Sequence, residues 1–112
     1  MPSISLVIAA FNEEATLEAV FIRCLDVLVE CSDDFEVLIL DDASTDGTAE
    51  IAAAIARDYP EVVRVITHPK NRGIAATFEE LNQAATRDFV FDIPADGEYP
   101  PEALREIVPL LE

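Results

Sequence analysis

Residues 35–48, FEVLILDDASTDGT, set a short apolar run directly against an acidic loop that opens a helix. Phe35 to Leu40 has strand length and no polar alternation after Glu36, the pattern of a strand covered on both faces of a parallel sheet. Asp41 and Asp42 close the run. Ser44 to Thr48 form a loop and helix start, and Ala49 to Asp58 is an Ala-rich helix that ends before Pro60.

The same succession extends to either side. Upstream, Ile4 to Ala10 (ISLVIAA) is a strand, followed by a helix from Glu13 to Glu30 with Asn12 placed to cap it. Downstream come a strand at Val62 to Thr67, a polar loop at His68 to Gly73 and a helix at Ile74 to Thr86. A fourth strand at Phe89 to Ile93 and a short helix at Glu102 to Leu111 complete the chain. This alternation predicts an α/β fold: an open, doubly wound, mostly parallel sheet with helices on both faces. Right-handed crossovers then bring every strand's carboxyl end to one edge, where ligands of such sheets bind. That edge would gather Ala10–Phe11–Asn12–Glu13, Asp41–Asp42, His68 to Gly73 and Pro94 to Glu98.

Composition narrows the function. The 112 residues are 51% hydrophobic, which argues for a folded core and against disorder. No apolar run approaches the ~20 residues of a membrane span, and none has the charged n-region of a signal peptide, so the expected location is cytoplasmic. With 23 acidic against 7 basic residues the net charge is −16, which excludes nucleic acid as a partner and a polybasic membrane patch. Cys24 and Cys31 lie seven apart on one helix, about 10 Å between Cα atoms, too far for a disulfide; they read as buried structural thiols.

Three glycines cannot build a dinucleotide-binding fingerprint, and there is no Walker loop, nucleophile elbow or Cys–His pair. His68, the only histidine, reads as a surface-loop residue. Asp41 and Asp42 can hold a cation or accept hydrogen bonds from ribose hydroxyls or a base N–H; a turn-and-cap role for Asp42, Ser44 and Asp46 accounts for them equally. Asp96 can bind Mg2+ or Mn2+, with Asp92 and Pro94 alternating onto its face, and a Pro-Ala-Asp-Gly turn is the plain alternative. Lys70 and Arg72 share the edge, either to steer phosphate or as a solvated loop.

Together these segments resemble the N-terminal part of a family 2 glycosyltransferase, of the inverting, dolichyl-phosphate-mannose-synthase-like branch with the GT-A, Rossmann-like fold. SLVIAAFNEE resembles that family's opening strand and turn. LILDDASTDGT matches its Asp-Asp-x-Ser-x-Asp-x-Thr segment, HPKNRG its Asn-x-Gly loop, and PADGEYPPE its Asp-x-Asp region. The resemblance implies a nucleotide-diphosphate-sugar donor whose nucleoside lies across Ala10, Phe11, Asn12 and Glu13, with Asp42 or Asp41 near base and ribose. Ser44, Asn71, Gly73 and Ala95 belong to the same implied donor site, and Asp96 is its implied metal ligand for Mg2+ or Mn2+. The acceptor would be a glycan or a polyprenyl phosphate at the cytoplasmic face of a membrane.

Departures qualify the implied chemistry. Pro94 occupies the first Asp position of the Asp-x-Asp pair, so metal binding is expected to be weak, with Asp92 as a candidate substitute. Ala9, Ile74 and Leu81 replace a usual Pro, a frequent Lys and a frequent Gly. The resemblance implies that residues 1–112 would be the donor-binding half, truncated on its C-terminal side, with the general base expected beyond residue 112. A non-catalytic nucleotide-binding module is the alternative function. A receiver-like signalling domain fits worse, since its acidic pair would follow the first strand. The helix over 13–30 carries more apolar residues than one stripe needs, so self-association is expected.

Overall fold

Residues 1–111 are described by a computed structural model. In chain order the elements are β1 (Ile4–Ala10), α1 (Leu17–Cys31), β2 (Phe35–Asp41), α2 (Thr48–Asp58), β3 (Val63–Thr67), α3 (Ile74–Ala84), β4 (Phe89–Asp92) and α4 (Leu104–Ile107). Short 3-10 turns at Pro101–Ala103 and Val108–Leu111 flank α4. The strands form one sheet in the order β3-β2-β1-β4, and every pairing is parallel. Ile4 lies opposite both Phe35 and Phe89, while Ala10 lies opposite Asp41 and Asp41 opposite Thr67. The chain winds outward from β1 to β3, then returns across β1 to place β4, so its winding reverses between β1 and β4.

Alternate residues of the central strands feed two cores. Leu6, Ile8, Val37 and Ile39 pack with Phe21, Val27 and Leu28 of α1, Ile55 of α2 and Leu104 of α4. Val7, Leu38 and Leu40 face the other way and meet Leu81 of α3. Both faces of β1 and β2 are thus dry, the physical reason their sequences show no polar alternation. Helices cover both faces, but α3 alone serves the second one. Phe21 also meets Tyr59 just past α2, ring centroids 5.2 Å apart.

Three expectations are corrected. α1 starts at Leu17 rather than Glu13, because Thr16, at φ −125°, lies outside helical geometry and stands as its N-cap. Asn12 is no helix cap; it sits at φ 54° and its Oδ1 accepts from the Thr45 amide. The last helix is broken into α4 and its two 3-10 turns, with Pro109, which has no N–H, inside the second. Both cysteines are free: Cys24 is buried, which pushes its thiol up to about 12, whereas Cys31 is half-buried. Among the described residues no helix is long and apolar enough to cross a membrane.

The end of the sheet opposite the strand carboxyl termini is closed by Glu36. Its buried carboxylate accepts from Ser5 Oγ, the Thr86 amide and hydroxyl, and Arg64 Nη2 at 2.6–2.9 Å. Burial alone would raise its pKa, but these donors outweigh burial and hold it at about 2. Four donors from β1, β3 and the segment after α3 therefore converge on one side chain of β2. Glu36→Ala should lower unfolding free energy by about 2–3 kcal/mol at pH 7, read by urea denaturation. A carboxylate with a depressed folded pKa stabilises above its unfolded value of 4.5 and loses that as pH falls toward 2, so the deficit should vanish across that window. A loss under about 0.5 kcal/mol, the range of ordinary surface substitutions, would show that Glu36 does not hold this end of the sheet.

Candidate functional site

The loops leaving β1 and β2 are bonded to each other. Asn12 N–H donates to Ser44 Oγ at 2.9 Å, Glu13 N–H to Thr48 Oγ1 at 2.8 Å and Glu14 N–H to Asp46 Oδ2 at 3.3 Å. In return the Thr45 amide donates to Asn12 Oδ1 and the Gly47 amide to Glu14 Oε2, both at 2.8 Å. A Cβ at Gly47 would meet Glu14 Oε2 at 2.7 Å, the mobile end of an exposed side chain, so a substitution there would displace that carboxylate rather than the backbone. Asp46 also accepts from the amide and hydroxyl of Thr48, opening α2. Asp41 is fully buried and accepts from the Ser44 amide. Thr16 extends the network to β4 by donating to the carbonyl of Ala95 at 2.6 Å.

Asp42 ties in the loop after β3. Its Oδ1 accepts from the Arg72 amide at 2.8 Å and lies 2.7 Å from His68 Nδ1; its Oδ2 accepts from the Gly73 amide at 3.0 Å. Gly73 at φ 84° supplies the left-handed turn that aims this amide. His68 is not a surface residue: it is 3% exposed, with Nε2 2.8 Å from Glu80 Oε2 on α3. The two carboxylates, one at each ring nitrogen, hold it inside. They raise the imidazole's pKa, Asp42 first and Glu80 second. Burial alone would raise Asp42, but the bonds from His68, Arg72 and Gly73 outweigh it and lower its pKa.

A cavity of about 350 Å³ opens at this edge, beside the point where the winding reverses. Of the residues singled out in the sequence, Ala10, Phe11, Glu13, Asp42, Asn71, Gly73, Ala95 and Asp96 line it together. Asn12, Asp41 and Ser44 do not; their side chains serve the loop network just described. Asp92, Lys70 and Arg72 also stay off the wall. Burial raises the Asp92 pKa, and its strand position faces Val7 across the sheet pairing. Sequence reading missed Ala9, Ile74, Thr77 and Pro94 as wall residues. The available signal for Thr77 was its place one turn before buried Leu81, a polar residue on the inward stripe of α3.

The wall carries three carboxylates, Glu13, Asp42 and Asp96, and no Lys or Arg. Asp96 Oδ1 accepts from the Glu98 amide at 2.9 Å, leaving Oδ2 for a ligand. Among the described residues no group of three His, Cys, Asp or Glu converges as a protein-only metal cage. One hard oxygen donor beside an open cavity fits Mg2+ or Mn2+ of the kind held by one or two carboxylates and completed by substrate phosphates.

Fold and cavity define an α/β protein of the GT-A type, with its ligand site at the carboxyl edge of a parallel sheet. The chain belongs to glycosyl transferase family 2, whose family model matches residues 5–112. It is 34% identical over 106 residues to an undecaprenyl-phosphate 4-deoxy-4-formamido-L-arabinose transferase of Aeromonas hydrophila subsp. hydrophila, covering 94% of this chain and 32% of that protein. It is 30% identical over 105 residues to a dolichol-phosphate mannosyltransferase of Pyrococcus furiosus, covering 94% and 29%. Among solved structures it superposes with a TM-score of 0.70 on Mycobacterium tuberculosis glucosyl-3-phosphoglycerate synthase in complex with Mn2+, UDP and glucosyl-3-phosphoglycerate, at 27% identity, covering 98% and 39%. The chain thus spans about a third of the length of the relatives it matches.

The His68 bracket gives a pH signature. A group whose folded pKa is raised contributes fully below its unfolded value, ordinarily ~6.5, and loses that contribution as pH rises through the folded value. Melting temperature should therefore fall as pH is raised from about 6.5, and His68→Gln should flatten that limb. Parallel profiles of the two proteins would refute the charged bracket.

Proposed function

We propose that this chain is the donor-binding part of a glycosyltransferase that moves a sugar from a nucleotide-diphosphate sugar to a lipid-phosphate acceptor. The observation that carries this reading is the acidic, cation-free cavity at the carboxyl edge of the sheet. The relatives named above for undecaprenyl and dolichol phosphate support the acceptor class. Work on such an acceptor would take place at the cytoplasmic face of a membrane. Ile22 and Val29, exposed on α1, are the side chains through which self-association would run.

Each wall residue has a task in this reading. Ala9 and Ala10 end β1 with small side chains, leaving room for a flat nucleoside beside Phe11. Asp42 uses three acceptor positions within the protein and keeps a fourth for a base N–H or a ribose hydroxyl. Asn71 and Gly73 close that side. Asp96, at the β4 end, would hold Mg2+ or Mn2+ against the diphosphate. When bound, the metal neutralises charge on the leaving nucleoside diphosphate. The wall offers no cation of its own, so donor binding should depend on the metal. Pro94 brings no second carboxylate, which makes Asp96 the only protein ligand expected from β4.

Calorimetric titration with UDP and with GDP, each with and without Mn2+, tests the reading. Binding of at least one nucleotide should require Mn2+. Asp96→Ala should weaken it by about tenfold or more, the worth of a charged hydrogen bond or better. Absence of binding of either nucleotide at millimolar concentration, with metal present, would overturn the proposal.

A further inference from the structure

Thr77 is 2% exposed, lies in the second turn of α3 and lines the cavity. Among the described residues its Oγ1 is the one buried side-chain polar atom without a hydrogen-bond partner. Other buried hydroxyls in this fold are used. Ser5 Oγ donates to Glu36 and accepts from the Arg87 amide, Ser32 Oγ donates to the carbonyl of Pro2, and Thr48 Oγ1 donates to Asp46 while accepting from Glu13. A helical threonine commonly bonds the carbonyl four residues back, yet at Thr77 only the amide reaches Gly73 O, at 3.2 Å. Burying a hydroxyl without a partner is unfavourable, so this orphan, on a residue of the cavity wall but itself closed to solvent, gains a partner if a χ1 rotation turns it to a ligand's polar atom.

The sheet order says which end of the ligand that is. Across the carboxyl edge the cavity runs from Asn71 and Gly73 after β3, past Asp42 after β2 and Ala10 after β1, to Asp96 after β4. α3 packs over β1 and β2 through Leu81 against Val7, Leu38 and Leu40, and so stands on the Asp42 side of the cavity. In the donor-site reading above, with the diphosphate at Asp96, the heterocyclic base would extend toward Asp42 and Thr77.

We propose that the Thr77 hydroxyl hydrogen-bonds the polar edge of the donor's nucleobase and helps set which base this chain accepts; the proposal rests on the donor-site reading above. A hydroxyl both donates and accepts, so it can meet a ring carbonyl or a ring N–H. Uracil and guanine share a ring carbonyl beside a ring N–H but differ in ring size and in guanine's exocyclic amine, so one fixed hydroxyl is expected to meet one base better than the other.

The test titrates UDP, GDP and inorganic pyrophosphate, each with Mn2+, into the wild type, Thr77→Val and Thr77→Ser. Thr77→Val keeps the shape and removes the hydroxyl. It should weaken the preferred nucleotide about five- to tenfold, one neutral hydrogen bond's worth, and narrow the UDP-to-GDP preference. Pyrophosphate affinity should not move, and Thr77→Ser should stay within about twofold of wild type, since the hydroxyl is retained. Without nucleotide, Thr77→Val should melt no lower than wild type, because the orphan group is gone. Unchanged nucleotide affinity in Thr77→Val, equal losses for UDP and GDP, a matching loss for pyrophosphate, or a lower melting temperature without nucleotide would each overturn the inference. Failure of the wild type to bind either nucleotide would instead overturn the donor-site reading, and this inference with it.

Discussion

Backbone amides that emerge from the carboxyl ends of β1 and β2 have left the sheet and must find acceptors elsewhere, and the two loops solve this for each other. Ser44, Asp46 and Thr48 take the amides of residues 12–14, while Asn12 and Glu14 take those of Thr45 and Gly47. Because β1 and β2 are adjacent and in register, with Ala10 opposite Asp41, this reciprocal set acts as a brace across the sheet's working edge. Other features of that edge follow from it. α1 grows directly out of the brace, the Glu13 carbonyl accepting from the Leu17 amide, and Thr16 at its cap reaches across to Ala95 after β4.

Brace and wall are separate sets of residues. The brace consumes the polar side chains of Asn12, Ser44, Asp46 and Thr48, while Asp42 points the other way, into the loop after β3 and the cavity. Ala43, between Asp42 and the brace, sits at φ 59°, a conformation that costs a non-glycine residue about 1 kcal/mol. That strain lies where the chain passes from Asp42 on the cavity wall to Ser44 in the brace, which ties it to the site.

Electrostatics and packing meet at Asp42. Its carboxylate organises the 68–73 loop through His68, Arg72 and Gly73, and His68 passes the constraint to Glu80 on α3. The one helix that covers the second face is therefore held at its middle turn by Glu80 and just past its end by Thr86, on Glu36. A wall built by such a helix is a firm support for Thr77. Charge at the cavity remains negative, and a diphosphate would enter it only with a compensating cation.

Strand runs, helix order and the parallel sheet were legible in the sequence because burial on both faces removes polar residues from a strand, and that depletion is a local property. Asp42, Asn71, Gly73 and Asp96 were legible as well, since polar residues at strand ends need no long-range information to be noticed. What needed the tertiary structure was each side chain's partner. Asn12 and Ser44 read as ligand contacts or caps, and only the adjacency of β1 and β2 makes them partners of each other's loop. His68 read as solvent-exposed because its two carboxylates lie 26 and 12 residues away in the chain. Thr77's place one turn before Leu81 marks it as inward, but nothing within a helical stretch tells whether an inward threonine meets a hydrogen-bond partner or a cavity wall. Local pattern determines which elements form; hydrogen-bond partners separated by tens of residues are chosen only when the sheet brings them together.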